Sequence, residues 1–158
     1  MRHSLEVGLY FGSTSGVITT LGLMIGLNAS TNSKLVVIGG ILTIAIADAL
    51  SDSFGIHVSE ESENRHTSKE IWESTLCTFF CKFIFASSFV VPVLLTDLNT
   101  AIIVSIVWGL FLISILSFKM GKSKKIKTWQ VVLEHIIIAF AVVIIAHFVG
   151  HWISITFT

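Results

Sequence analysis

The chain is poor in charge: Asp, Glu, Lys and Arg make up 13% of its 158 residues, where a water-soluble domain carries about a quarter. With 53% hydrophobic residues and a mean hydropathy of +0.87, most of the chain has lipid as its solvent. There is one proline, which excludes a disordered Pro-rich arm. Neither sign of charge dominates, since ten Lys and Arg balance ten Asp and Glu. No basic tail suggests nucleic-acid binding and no acidic tail suggests solvation. The two cysteines, Cys77 and Cys81, stand four apart in an apolar run. On a helix they share a face and read as small packing residues, not as a disulfide pair. Long polar stretches are missing as well. A membrane helix takes ~20 apolar residues, so five spans of about 23 use about 115 positions and leave no room for an extramembrane catalytic domain.

Five apolar runs are present, at approximately 7–27, 35–58, 71–95, 101–118 and 129–155. They predict an all-α integral membrane protein with a single transmembrane domain over 1–158. The first run is too long for a signal-peptide core and lacks a basic leader beyond Arg2, so it reads as a retained helix. The only soluble-looking segment of any length is the short acidic connection 59–70.

Lysine and arginine in short loops set orientation. With the amino terminus in the cytosol and the carboxyl terminus outside, Arg2, Arg65, Lys69, Lys119, Lys122, Lys124, Lys125 and Lys127 all fall on the cytosolic side, eight of the ten basic residues. Lys34 lies outside. Lys82, within the third run, is expected to snorkel toward the cytosolic headgroups.

A carboxylate inside a bilayer costs several kcal/mol by the mildest scale, on the order of 3, so it marks a functional hypothesis. Asp48 and Asp52 are one helical turn apart on one face, with Ser51, Gly55 and Ser59 on or beside it. Two like charges so close do not both stay ionised without a cation to neutralise them, which is the physics of exchanging protons for a metal ion. The plainer reading has them near the headgroups, holding neighbouring helices. On the first helix Gly12, Ser15, Gly16, Thr19, Gly22 and Gly26 recur at spacings of three and four. Such a face brings helices close, and the hydroxyls of Ser15 and Thr19 suit a hard cation. It reads equally as a packing seam. Glu134, on the fifth helix, has only Ile138, Ala141 and Ile145 along its face and must find a partner elsewhere. His147 and His151 have a spacing that binds metal in a cavity, or that anchors a helix at the interface. Glu60, Glu61, Glu63, Glu70 and Glu73 would concentrate divalent cations at a pore mouth, or form a solvated charge run.

Gly8 to Leu27, with its Gly-Ser-Thr-Ser-Gly segment, followed by Ala47-Asp-Ala-Leu-Ser-Asp-Ser-Phe-Gly55, resembles the first two helices of the vacuolar iron transporter family. Phe85 to Leu95, carrying Pro92, resembles its third helix, and Val131 to Gly150, carrying Glu134, its fifth. The resemblance implies a homodimer of five-helix protomers, with an ion path between them and exchange of iron or manganese for protons. It also implies an acid where this chain has Ser15 and a methionine where it has Asp52. The acid has moved to the second helix and the thioether is gone, a donor set that shifts preference toward manganese, magnesium or calcium while still admitting ferrous iron. The long cytosolic metal-binding extension of plant and fungal members is reduced here to the short glutamate-bearing connection.

The function expected is proton-coupled export of a divalent metal through a homodimer interface in the cell membrane or an organelle membrane, along Asp48, Asp52, Ser15, Thr19 and Glu134. Metal contacts are expected at Asp48, Asp52 and the five glutamates, with the metal as cargo and no cofactor. The alternative is a non-transporting assembly or sensor protein of the same fold. An enzyme is not expected, since no Ser-His or metalloprotease spacing occurs.

Overall fold

The computed structural model describes residues 3–123 and 127–157. Arg2, Lys124 and Lys125, which contribute to the expected orientation, lie outside the described residues. Among the described residues, five helices are long and apolar enough to cross a membrane: α1 His3–Thr31, α2 Lys34–Glu63, α3 Ser68–Leu95, α4 Leu98–Ser123 and α5 Thr128–Phe157. No strand occurs among the described residues. Each helix outruns its apolar stretch, because local polar chemistry and not hydropathy decides where a helix stops. Asn32 and Asn64 adopt left-handed backbone at φ 47° and 54°, ending α1 and α2. Ser33 accepts a hydrogen bond from the Val36 N–H to begin α2. Thr67 and Glu70 form a reciprocal capping box that begins α3. The non-helical connection between α2 and α3 is therefore only 64–67. Most of the stretch read from its polarity as a connection, 59–70, is the continuation of two helices.

Two helices depart from regularity. In α2 the turn Ile44–Asp48 is π-helical, a widening that often accompanies functional side chains. In α3 the helix breaks at Phe89, three residues before Pro92. Proline lacks the N–H that would bond the Ser88 carbonyl, and its ring crowds that carbonyl. The Ser88 hydroxyl there accepts from Trp108 Nε1 at 3.1 Å, which ties the break to α4.

α1 stands at the centre and touches all four other helices. Its close approach to α3 depends on glycine. A Cβ on Gly12 would lie 2.5 Å from the Thr78 carbonyl oxygen, and one on Gly16 would lie 3.0 Å from that of Lys82. Gly22 and Gly26 instead face Val142 and Ala146 of α5. The small-residue face thus divides into two seams, as lipid-embedded helices require when packing and not hydrophobicity holds them. Val17, Leu21, Met24, Val37, Ile41, Phe89 and Val93 form a fully buried apolar core. It fills the half of the bundle nearer the α1–α2 turn.

Candidate metal-ion site

Below that core, four polar side chains from three helices converge. Lys82 of α3 is 0% exposed, and its ammonium lies 2.5 Å from Oδ2 of Asp48 and 2.5 Å from Oδ2 of Asp52. It also donates to Ser15 Oγ at 3.0 Å. The Ser15 hydroxyl in turn donates to Asp52 Oδ2 at 2.6 Å. The contact with Asp48 is ionic, without hydrogen-bond alignment, whereas Asp52 is held by two directed bonds. Ser15, Asp48, Asp52 and Lys82 stand roughly 16 to 22 Å along their helices from the end that carries the α2–α3 connection, at 1.5 Å per residue. In helices of 26 to 30 residues these positions lie away from the helix ends.

Lys82 does not snorkel. Its ammonium turns inward because two carboxylates sit within reach, and an unpaired buried ammonium would cost several kcal/mol, roughly 3 to 5. Gly16 makes room for its stem, since a Cβ there would lie 3.3 Å from Lys82 Cγ. Hydropathy alone concealed this residue as a site member. The signal that would have found it is the charge balance: two acids and one base, each inside an apolar run.

The carboxylates are not sealed in. The side chain of Asp48 is 35% exposed and that of Asp52 23%. Beside them on α2 runs an exposed line of small residues, Gly39, Thr43, Ala47, Ser51 and Gly55. A Cβ on Gly39 or Gly55 would meet nothing within 4 Å, so neither glycine has a packing reason inside the protomer.

The remaining expected site residues are distributed. Thr19 donates to the Ser15 carbonyl oxygen at 2.6 Å and so has its hydroxyl engaged on its own helix. Glu60 lies on α2, is 6% exposed and accepts from Ser74 Oγ at 2.7 Å. Glu61 and Glu63 are exposed on the same helix, with Glu63 3.9 Å from His66 Nε2. Glu70 belongs to the capping box, and Glu73 accepts from Ser4 at 3.4 Å. Among the described residues, no three His, Cys, Asp or Glu side chains of one protomer are grouped to hold a metal. Glu134 is exposed on α5, and the site does not include it. His147 and His151 stack at 6.5 Å between ring centres on the exposed side of α5. Sequence reasoning also passed over His135, whose Nδ1 pairs with Ser117 Oγ at 2.7 Å and joins α5 to α4.

The arrangement is a cluster of two carboxylates and a hydroxyl around the Lys82 ammonium. Neither a curated protein nor a solved structure matches the chain. The family model of the VIT family matches residues 9–75, a stretch that contains most of α1, all of α2 and the start of α3, with Ser15, Asp48 and Asp52. Over those residues the chain is similar to the VIT family.

Proposed function

We propose that the protein exports a divalent metal ion, iron or manganese, from the cytosol in exchange for protons, as a homodimer in the cell membrane. The amino terminus is cytosolic and the carboxyl terminus outside. The observation that carries this reading is the pair Asp48 and Asp52, half-open to the protomer surface at mid-helix beside the exposed small-residue line of α2. A second protomer docked on that line brings two further carboxylates to the same place and encloses the site. A single protomer offers too few donors for a hard cation, which takes about six oxygens, whereas two copies with Ser15 approach that number. The apolar core blocks a route through the protomer itself and favours one between protomers.

In the cycle, metal gathered near Glu61 and Glu63 reaches the aspartates and leaves outward. Protons returning discharge the carboxylates and reset the site. Oxygen donors without a thioether favour manganese over softer metals, with ferrous iron accepted. The test is flux into liposomes holding purified protein under an imposed proton gradient, across manganese, ferrous iron, magnesium and calcium. Manganese or iron uptake that is lost in Asp48→Asn with Asp52→Asn is the expected result. Uptake unchanged in that double variant would remove these residues from the path.

One observation favours the second reading, a non-transporting assembly or sensor protein: Lys82 pairs with both acids within the protomer. Absence of flux for every divalent ion tested, in folded parent protein, would decide for it.

A further inference from the structure

The ammonium of Lys82 stands where a transported cation has to bind. It touches Asp48, Asp52 and Ser15, which are the oxygen donors the protomer offers at this depth. A metal held by the same two carboxylates would sit close to the ammonium, and two cations at that separation repel strongly. A second oxygen stands close by on the same helix. Thr78 lies one turn before Lys82 on the same face of α3. Its hydroxyl is 0% exposed and has no hydrogen-bond partner, an uncommon state for a buried polar group. Lysine side chains on a helix lean toward the amino-terminal turn, which is where Thr78 stands.

We infer that Lys82 is a tethered competitor: it occupies the cation position between Asp48 and Asp52, and the transported ion binds by displacing the still-charged ammonium toward Thr78. This rests on the transport reading above. Without a cation, the two carboxylates and the ammonium leave the cage one net negative charge. With a divalent ion bound between two protomers, the four carboxylates are balanced by the metal together with the two displaced ammonium groups, which repel that metal from one turn away. Lys82 therefore sets a ceiling on affinity and speeds release, and it serves as a specificity-determining residue, since only an ion that outcompetes an ammonium is carried.

The experiment is Mn2+ titration of purified parent, Lys82→Met, Lys82→Arg and Thr78→Val, with free Mn2+ read by electron paramagnetic resonance. Lys82→Met is expected to bind about tenfold or more tightly, having lost the competing charge, and Lys82→Arg to bind like the parent. Thr78→Val, which removes that second oxygen at nearly constant volume, is expected to bind several-fold more weakly. Equal affinity in Lys82→Met and Lys82→Arg would overturn the inference. Should Lys82→Met not fold, unchanged affinity in Thr78→Val would overturn it. The outcomes separate from the transport reading: a parent that moves Mn2+ across liposomes while Lys82→Met binds no tighter keeps the function and loses the competitor.

Discussion

Lys82 and Asp52 meet at 2.5 Å between helices that the chain separates by a reversal of direction, and the same ammonium reaches Asp48. The two acids are not equivalent in this contact. Asp52 is the less exposed and also accepts from Ser15. Removing its charge leaves a fully buried ammonium with one ionic contact that lacks hydrogen-bond alignment. Asp52→Asn is therefore expected to destabilise the folded protein by roughly 3 kcal/mol, and Asp48→Asn by less. Thermal unfolding in detergent compares them, and equal losses would mean that the two carboxylates share the ammonium evenly.

Glycines on the two sides of the bundle have opposite consequences. Gly12→Ala places a Cβ against the Thr78 carbonyl and is expected to cost about 1 to 3 kcal/mol by forcing α1 and α3 apart. Gly39→Leu and Gly55→Leu put side chains into open space, so the protomer should unfold at the parent temperature or above it. In the proposed homodimer those side chains fall in the interface. Sizing in detergent is expected to show a shift from dimer toward monomer with transport lost, and an unchanged dimer would place the interface elsewhere.

The glutamates of α2 separate by burial. Glu60→Ala removes one of the two acceptors of Ser74, leaving the Ile71 carbonyl, and is expected to lower stability by about 1 kcal/mol. Glu61→Gln with Glu63→Gln changes only exposed positions, so stability should stay within about 0.5 kcal/mol of the parent. If these two gather cations, the metal concentration for half-maximal flux rises while the maximal rate holds. Flux curves against Mn2+ measure both, and an unmoved curve would assign the pair to solvation.

Asp97 gives a pH dependence outside the membrane-spanning segments. Its carboxylate accepts from the Thr100 N–H at 3.0 Å, starting α4, and this bond holds its pKa below the ordinary 3.8. The folded state thus favours the ionised form. The stabilisation is complete above the ordinary carboxyl range and is lost as pH falls through the lowered folded value. Amide exchange at Thr100 is expected to quicken relative to Asp97→Asn only at such acid pH, because asparagine keeps the acceptor without titrating. Parallel profiles for the two proteins would exclude the cap as the cause.

The number of helices and their order are legible in the sequence because hydropathy is a local property, and five apolar runs of sufficient length admit no other assignment. The acids at 48 and 52 are legible for the same reason: ionisable groups inside apolar runs stand out, and a spacing of four fixes a common face. Helix ends were read short at Glu63 and Ser68, since capping by Asn64 and Thr67 depends on backbone geometry that polarity does not report.

What the sequence alone determined is the lipid-embedded helical class and the two carboxylates within it. Only tertiary structure decided that Lys82 belongs to them. Which way a long flexible side chain turns depends on what other helices place beside it, and Lys82 and Asp52 stand 30 positions and a change of chain direction apart. The same holds for α1: its glycines announce close packing, but only the fold assigns Gly12 and Gly16 to α3 and Gly22 and Gly26 to α5, because partner choice is a property of the whole bundle.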